Sequence, residues 1–427
     1  MDNQHERSTS EDFGKREYSA SYAFSQMADA CIACAGCTAS CPVTNADGEY
    51  VGPKLIGPAQ HRFAFAEEDL EKTLKYCTNC KTCDRTCSAG VKVSTINMLT
   101  RGKYYDSHPH KVRDMMLSNH SLASHVFRSI PFGSKIANFT LKIARYCGIL
   151  NMLGVTRNRK LPSYSADSFV DMLLDLDQTP KNKKVVLFQG CFIEHNAPKV
   201  GMAFVKVMEA NGYEVLRDEK FVCCGSPLVS AGYIEKAWEN SVINAKRILY
   251  WQRKKIPVVA CCTSCSLMLK EEAGELFDDE LLFQAGTNVY DAFEFLKKLK
   301  QNGELVSPSK KSEETLLYHV PCHLLSQGIG TPAKEILENE GGSKVKVLNT
   351  GCCGMAGSYG FQSETAKISL KIGEDLFNRI NEEPEASVIS DCATCRMQIE
   401  YGAKRKTLHP IEILADLYEK KEENPST

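Results

Sequence analysis

"NTGCCGMAGSYGF" (residues 349–361) sets two cysteines side by side, Cys352 and Cys353, and follows them at once with Gly354. Vicinal cysteines are poorly placed to bridge one another, and idle thiols invite oxidation. The same tripeptide stands earlier, at Cys223, Cys224 and Gly225. Working outward from both, the chain from residue 183 repeats itself, and the repeat has to be read before the motifs inside it. The first copy runs "KKVVLFQGC" to Cys191, "FVCCGSP" at Cys223 and Cys224, and "IPVVACCTSC" at Cys262 and Cys265. The second runs "TLLYHVPC" to Cys322, "NTGCCGMAG" at Cys352 and Cys353, and "ASVISDCATC" at Cys392 and Cys395. Matching positions are 131, 129, 130 and 130 residues apart, so each copy carries the skeleton C…CCG…C-x2-C.

The runs "VVLF", "PVVA", "LLYHV" and "SVIS" read as short buried strands ending at the cysteines, with helices over 198–211, 233–251 and 364–381 between them. Strands alternating with helices give an α/β layer with a mainly parallel sheet, and ligands gather at the carboxyl ends of such strands. Each copy therefore brings five thiols to one site, one more than a cubane uses. An adjacent pair splays its sulfurs and can hold or bridge two irons. The glycine beside it lets the backbone N–H approach cluster sulfur. A multi-iron site of irregular, non-cubane geometry is the expectation.

Upstream lie "CIACAGCTASCP" (Cys31, Cys34, Cys37, Cys41) and "CTNCKTCDRTCS" (Cys77, Cys80, Cys83, Cys87), both C-x2-C-x2-C-x3-C. This is the bacterial ferredoxin spacing for a [4Fe–4S] cube, in which the fourth cysteine ligates the other cluster. That crossing assigns Cys31, Cys34, Cys37 and Cys87 to one cube, and Cys77, Cys80, Cys83 and Cys41 to the second. Zinc takes four ligands in two pairs and leaves the third evenly spaced cysteine unexplained. Ser88 stands where ferredoxins favour proline, which bears on the local turn and not on the ligands. Between the motifs, "EEDLEKTLKYC" (67–77) reads as a helix with Leu70, Leu74 and Cys77 on one face, favouring a helical ferredoxin over a β-rich one.

Apolar (43%) and charged (25%) fractions are those of a globular protein, and a net charge of −1 offers no steering toward nucleic acid. The polar start "MDNQHERSTSEDFGKREYSAS" has no apolar core for a signal peptide, and no apolar run of about 18 residues occurs. A cytoplasmic chain is expected, so twenty cysteines point to metal and not to disulfides.

The doubled skeleton resembles the CCG-domain family found in heterodisulfide reductases and in several quinone-linked dehydrogenases. With the double ferredoxin before it, the chain is similar to the family of C subunits of anaerobic glycerol-3-phosphate dehydrogenases. The phrases "CPVTNADGEYVGPKLIGP", "LKYCTNCKTCDRTC", "YHVPCH", "CCGMAGSYGF" and "DCATCRMQIE" carry the likeness, which covers about residues 28–418. The resemblance implies flavoprotein partners, the A and B subunits of the dehydrogenase, that oxidise glycerol 3-phosphate to dihydroxyacetone phosphate. It also implies a role for this chain in anchoring them at the inner face of the membrane and passing electrons to a quinone, menaquinone being expected. Rival readings are a catalytic heterodisulfide reductase-like protein, the iron–sulfur subunit of a lactate or glycolate oxidase, and an interaction module with structural clusters.

The resulting expectation is an α+β multidomain chain: a polar tail (1–25), an α-helical ferredoxin with two [4Fe–4S] motifs (26–106), a basic amphipathic connector (107–182), two repeated α/β CCG (cysteine-rich) domains (183–300 and 315–427) and a linker (301–314). Each CCG domain is expected to hold one iron–sulfur cluster. Two cysteines remain. Cys261 aligns with Asp391 and reads as a spare thiol, while Cys147 shares an apolar stripe with Ile136, Phe139, Ile143 and Leu150 and reads as a small core hydrophobe. Residues 108–160 carry Lys111, Arg113, Arg128, Lys135, Lys142, Arg145, Arg157, Arg159 and Lys160 against the single acid Asp114. Within them "KIANFTLKIARYCGIL" sets an apolar stripe beside Lys135, Lys142 and Arg145, a helix that suits a membrane interface and equally a surface packed on the protein's own core or a partner. His319 and His323 flank Cys322 as satisfied polar groups or as hydrogen-bond donors to a cluster. "GIGTPA" (328–333) lacks the βαβ context of a dinucleotide fingerprint and reads as a helix cap. With no flavin or nicotinamide motif, the chain is not expected to dehydrogenate a substrate alone.

Overall fold

The computed structural model describes residues 27–63, 73–118 and 132–419. The tail expected at 1–25 and most of the helix expected at 67–77 lie outside the described residues; Leu74 is within them and buried.

Four parallel strands, β1 (Lys183–Phe188), β2 (Tyr213–Leu216), β3 (Val258–Ala260) and β4 (Val289–Asp291), form a sheet in the order β2-β1-β3-β4. The second copy repeats it with β5 (Thr315–Tyr318), β6 (Lys344–Val347), β7 (Ser387–Ile389) and β8 (Thr407–Leu408) in the order β6-β5-β7-β8. The four runs read as strands from sequence are the central ones. They are covered on both faces and so are apolar throughout. Helices Pro198–Ala210 and Ile234–Arg253 fall where expected, whereas 364–381 is divided at Gly373 into Ala366–Ile372 and Glu374–Asn381. "GIGTPA" leads into helix Pro332–Asn339, with Thr331 at the N-cap position and proline at the first turn; the threonine side chain itself makes no cap bond.

The two sheets share one core. Val185, Leu187, Phe204 and Phe293 of the first copy lie in the same buried cluster as Leu316, Tyr318, Ile336 and Leu414 of the second. Helix Pro198–Ala210 packs on Pro410–Leu417, and Ala292–Gln301 packs on Pro332–Asn339. Residues 301–314 cross this contact and are tied to both copies. Val306 N–H donates to Asn211 Oδ1 at 2.8 Å, and Ser312 N–H to Gly341 O at 2.8 Å.

The N-terminal module is helical: Gly36–Ala39, Pro42–Ala46, Thr82–Arg85 and Val93–Ser107, with a π-helical turn at Leu55–Ala59 and no strand among its described residues. It sits against both copies. Met98 enters the buried cluster behind the first sheet, while Val43 and Ile56 meet Ile368 and Ile372 of the second copy.

In the connector, helix Gly133–Tyr146 is turned opposite to an ordinary surface helix. It buries Gly133 and Ala137 and exposes Phe132, Ile136, Phe139, Ile143 and Tyr146. One expectation fails here. Cys147 is exposed and not a core residue, because the stripe it belongs to faces outward; of that stripe only Leu150 is buried. The basic residues of 108–160 do not share one exposed face. Arg113 is buried between Asp114 (2.8 Å) and Glu364 (2.7 Å), and Arg159 is buried beneath the second copy. Arg128 lies outside the described residues. Among the described residues no helix is long and apolar enough to cross a membrane.

Candidate metal centres

The two ferredoxin loops are wound alike. Ala33 and Ala35 in the first, and Asn79 and Lys81 in the second, have φ of 59°, 61°, 51° and 60°. Left-handed backbone is uncommon outside glycine, and its recurrence at matched positions, one on either side of Cys34 and of Cys80, turns successive N–H groups into a concavity suited to an anion. Nothing in the composition signals this. Only the shared cysteine spacing does.

In the second loop Cys77, Cys80 and Cys83 meet Cys41 from the first motif around one cavity, also lined by Pro42, Val43, Tyr50 and Asn79. Burial pushes the Cys41 thiol up to about 11. Thiols held this way are neutral until a cation displaces the proton, as metal ligation does. Asn97 Nδ2 lies 3.8 Å from Cys77 Sγ. The first site is shallower. Cys31, Cys37 and Cys87 pack together against Ala28, Val91 and Val93, while Cys34 is exposed at the loop's tip beside Ile32, itself 67% exposed.

In each cysteine-rich copy the strand order reverses direction between its first and third strands, and the crevice at their carboxyl ends is where ligands bind in such sheets. Cys191 follows β1 and Cys262 follows β3; the Cys223–Cys224 pair arrives on the loop after β2. The five thiols form a continuous group, Cys191 against Cys223, Cys224 against Cys265, and Cys265 against Cys262. The second copy groups Cys322, Cys352, Cys353, Cys395 and Cys392 likewise, with Cys353 Sγ 3.3 Å from Cys395 Sγ. Gly225 and Gly354 have φ of 95° and 87°, so the turn fixes the third letter of each CCG; at Gly354 crowding fixes it too, because a Cβ there would stand 2.2 Å from Ser369 O. The Gly354 N–H points at Cys352 Sγ, 3.4 Å away. Cys261 is not part of the group. Strand alternation sends it to the opposite face, into the shared core with Val259 and Ala292, while Cys262 lies on the other side with Cys265.

The centres adjoin one another. The Cys80 thiol of the ferredoxin loop interacts directly with the Cys352 thiol of the second copy. Lys81, two residues from Cys83, forms a buried ion pair at 3.0 Å with Glu272 of the first copy, to which Asn79 Nδ2 also donates at 2.7 Å. His323 fastens all three parts. Its Nε2 lies 2.9 Å from Asn79 O and its Nδ1 2.9 Å from Ser264 Oγ, within the C-x2-C of the first copy. A carbonyl only accepts, so Nε2 carries the proton and Nδ1 accepts from the Ser264 hydroxyl. His323 is thus satisfied. His319 is not: both ring nitrogens are buried and unpartnered, and burial lowers it to about 4. Sequence reasoning had no sign of Glu272, and counted Arg159 only as one of the connector's basic residues. Arg159 reaches under the second copy, where its guanidinium donates to Met355 Sδ at 2.9 Å and Ser369 Oγ at 3.2 Å, and to Gln398 Oε1. None of these is a carboxylate, and the nearby Cys353 supplies counter-charge when ionised. Converging buried thiols, N–H groups aimed at sulfur and a cation without a carboxylate fit anionic iron–sulfur groups. No disulfide joins any of the twenty cysteines.

Known proteins agree with this reading. The family described as 4Fe-4S dicluster domain matches residues 27–91, and the Cysteine-rich domain family matches twice, at 185–270 and 316–400. The chain is 25% identical over 395 residues to the B subunit of fumarate reductase (CoM/CoB) of Methanothermobacter marburgensis, covering 90% of this chain and 70% of that one. It is 22% identical to the glycolate oxidase iron–sulfur subunit of Escherichia coli, covering 92% of this chain and 94% of that one. These are subunits of oxidoreductases that differ in substrate. Identity rises to 33% over 395 residues, 90% of this chain and 97% of the other, with the C subunit of the anaerobic glycerol-3-phosphate dehydrogenase of Escherichia coli. With its dicluster module, its two cysteine-rich copies and nine-tenths of its length thus matched, the chain belongs to the family of C subunits of anaerobic glycerol-3-phosphate dehydrogenase.

Proposed function

We propose that this chain carries electrons from the flavoprotein subunits of a glycerol-3-phosphate dehydrogenase to menaquinone at the inner face of the cell membrane. The observation that carries the reading is the contact of Cys80 with Cys352, which sets a ferredoxin centre directly against a cysteine-rich one. Two [4Fe–4S] cubes are held by Cys31, Cys34, Cys37 and Cys87 and by Cys77, Cys80, Cys83 and Cys41. One further cluster is held in each cysteine-rich copy, by Cys191, Cys223, Cys224, Cys262 and Cys265 and by Cys322, Cys352, Cys353, Cys392 and Cys395. Electrons enter at the exposed first site, beside Cys34, and leave through the cysteine-rich clusters. The outward face of helix Gly133–Tyr146 meets the membrane. Its bulky apolar residues are exposed, and Lys135 and Lys142 beside them suit anionic lipid.

The test is made on the anaerobically purified complex with its flavoprotein partner. Glycerol 3-phosphate should bleach the visible absorption of this chain's clusters, and a menaquinone analogue should restore it; the isolated chain should not respond to glycerol 3-phosphate. Bleaching by glycolate or lactate through a different flavoprotein, with none by glycerol 3-phosphate, would replace the proposed partner. Rapid reduction of a disulfide substrate without any quinone reduction would favour the heterodisulfide reductase-like reading.

A further inference from the structure

The two cysteine-rich copies agree in strand order and in thiol placement, yet differ beside the thiols. Three residues before the first cysteine of the skeleton stands Phe188 in the first copy and His319 in the second. Both occupy the carboxyl end of a central strand. Phe188 is the last residue of β1, and the His319 N–H donates to Ile389 O of β7 at 3.1 Å. Phe188 is packed as an ordinary core ring, edge-on to Phe221 with centroids 5.1 Å apart. His319 is 1% exposed, and neither Nδ1 nor Nε2 has a hydrogen-bond partner. Buried polar atoms in native proteins are almost always paired, and an exception calls for an explanation such as an ion.

The surroundings supply one. A ring nitrogen of His319 and the sulfurs of Cys353 and Cys395 all lie within 4.8 Å of one another. With metal–ligand bonds of about 2.0–2.3 Å, donor atoms around one tetrahedral ion stand about 3.3–3.8 Å apart. The two sulfurs, 3.3 Å apart, would open slightly to reach that spacing, and the ring nitrogen already lies within 4.8 Å of both. His323 is no rival for the role, since both its ring nitrogens are engaged by Ser264 and Asn79.

We propose that His319 is a nitrogen ligand to iron in the second cysteine-rich copy, which thereby has a mixed nitrogen and thiolate donor set while the first copy uses thiolates alone. Imidazole in place of a thiolate raises the potential of an iron–sulfur centre, so with His319 taking the place of one of the five thiolates at its iron, the centre next to Cys80 is the more oxidising of the two. A duplicated fold has become two unlike electron sites through one substitution at a strand end.

This rests on the second copy holding an iron–sulfur group, so iron is counted on every sample. Holoprotein labelled with 15N-histidine is reduced anaerobically and studied by pulsed paramagnetic resonance. The expected result is a strongly coupled imidazole nitrogen that disappears in His319→Phe, the residue of the first copy, and persists in His323→Gln. Full iron content with no strongly coupled nitrogen, or a coupled nitrogen that survives His319→Phe, overturns the proposal. Iron content unchanged by Cys353→Ser would instead overturn the cluster reading beneath it. Should His319→Phe fail to accumulate, His319→Gln, which keeps a polar side chain of similar size, takes its place in the same comparison.

Discussion

The ion pair between Lys81 and Glu272 joins the second ferredoxin loop to the first cysteine-rich copy, with side chains 5% and 1% exposed. Removing one member of such a pair costs about 3–5 kcal/mol, because the survivor stays buried without compensation. Glu272→Gln isolates the effect: glutamine still offers Asn79 an acceptor in place of the bond now made at 2.7 Å, so only the charge is lost. Lys81 then remains a buried cation in the loop between Cys80 and Cys83, with Asp84 and Glu275 nearby but without its direct partner. About 3 kcal/mol is roughly a hundredfold in a local opening equilibrium. Where iron escapes through that opening, an anaerobic ferrous chelator should strip the second ferredoxin site of Glu272→Gln about a hundredfold faster than wild type. Adding Lys81→Met removes the stranded charge and should return the rate to within about tenfold of wild type. A single variant as slow as wild type, or a double variant as fast as the single, would refute the argument that this pair holds the loop closed.

Three further outcomes follow from the same structure. Cys262→Ser should lower the iron content of the protein, whereas Cys261→Ser, on the far face of the strand, should leave it unchanged; equal losses would show the two thiols to be misassigned. Burial raises the Asp218 carboxyl, but its hydrogen bonds from Arg247, the Lys220 N–H and Trp251 outweigh that and leave it lowered. A lowered carboxylate stabilises the fold above its unfolded pKa and ceases to do so as pH falls through the folded one. Asp218→Asn should therefore cost about 2–4 kcal/mol in urea unfolding followed by tryptophan fluorescence, evenly from pH 7 to about 5, the gap narrowing only below about pH 4. Lys135, Lys142 and Arg145 changed together to glutamate should weaken flotation with anionic liposomes, each cation contributing about 1 kcal/mol; unchanged flotation would assign this helix face to a partner protein.

The duplicated cysteine spacing makes most of the architecture legible. Central strands β1, β3, β5 and β7 are continuous apolar runs because helices cover both faces. The edge strands escape notice for the converse reason. β6 alternates exposed Lys344 with buried Val345 and the charged Lys346, a basic edge that discourages pairing with other chains and resembles a loop in composition. The stripe through Ile136, Phe139 and Ile143 is visible in the sequence, but its direction is not. Periodicity defines a face and not what covers it, so Cys147 reads as a core residue when it lies outside. Nor does spacing reveal which distant parts meet. Glu272 and Arg159 have no local pattern, and their importance comes only from the burial that the assembled modules impose.

The two ferredoxin loops bear on whether the clusters are structural. Both loops have the same cysteine spacing and left-handed backbone at the same positions, so either would serve equally well as a staple. Their settings are opposite. Cys34 of the first loop lies exposed at the surface, while Cys80 of the second is buried against Cys352, in a loop fixed by Lys81, Asn79 and His323 to both cysteine-rich copies. A staple would gain nothing from exposing one thiol, and burying a lysine and a glutamate to seat the other costs desolvation that apolar packing would avoid. A carrier needs both arrangements: one centre that another protein can approach, and one held at fixed distance from the next acceptor. The asymmetry between otherwise equivalent loops therefore favours electron transfer over a purely structural role.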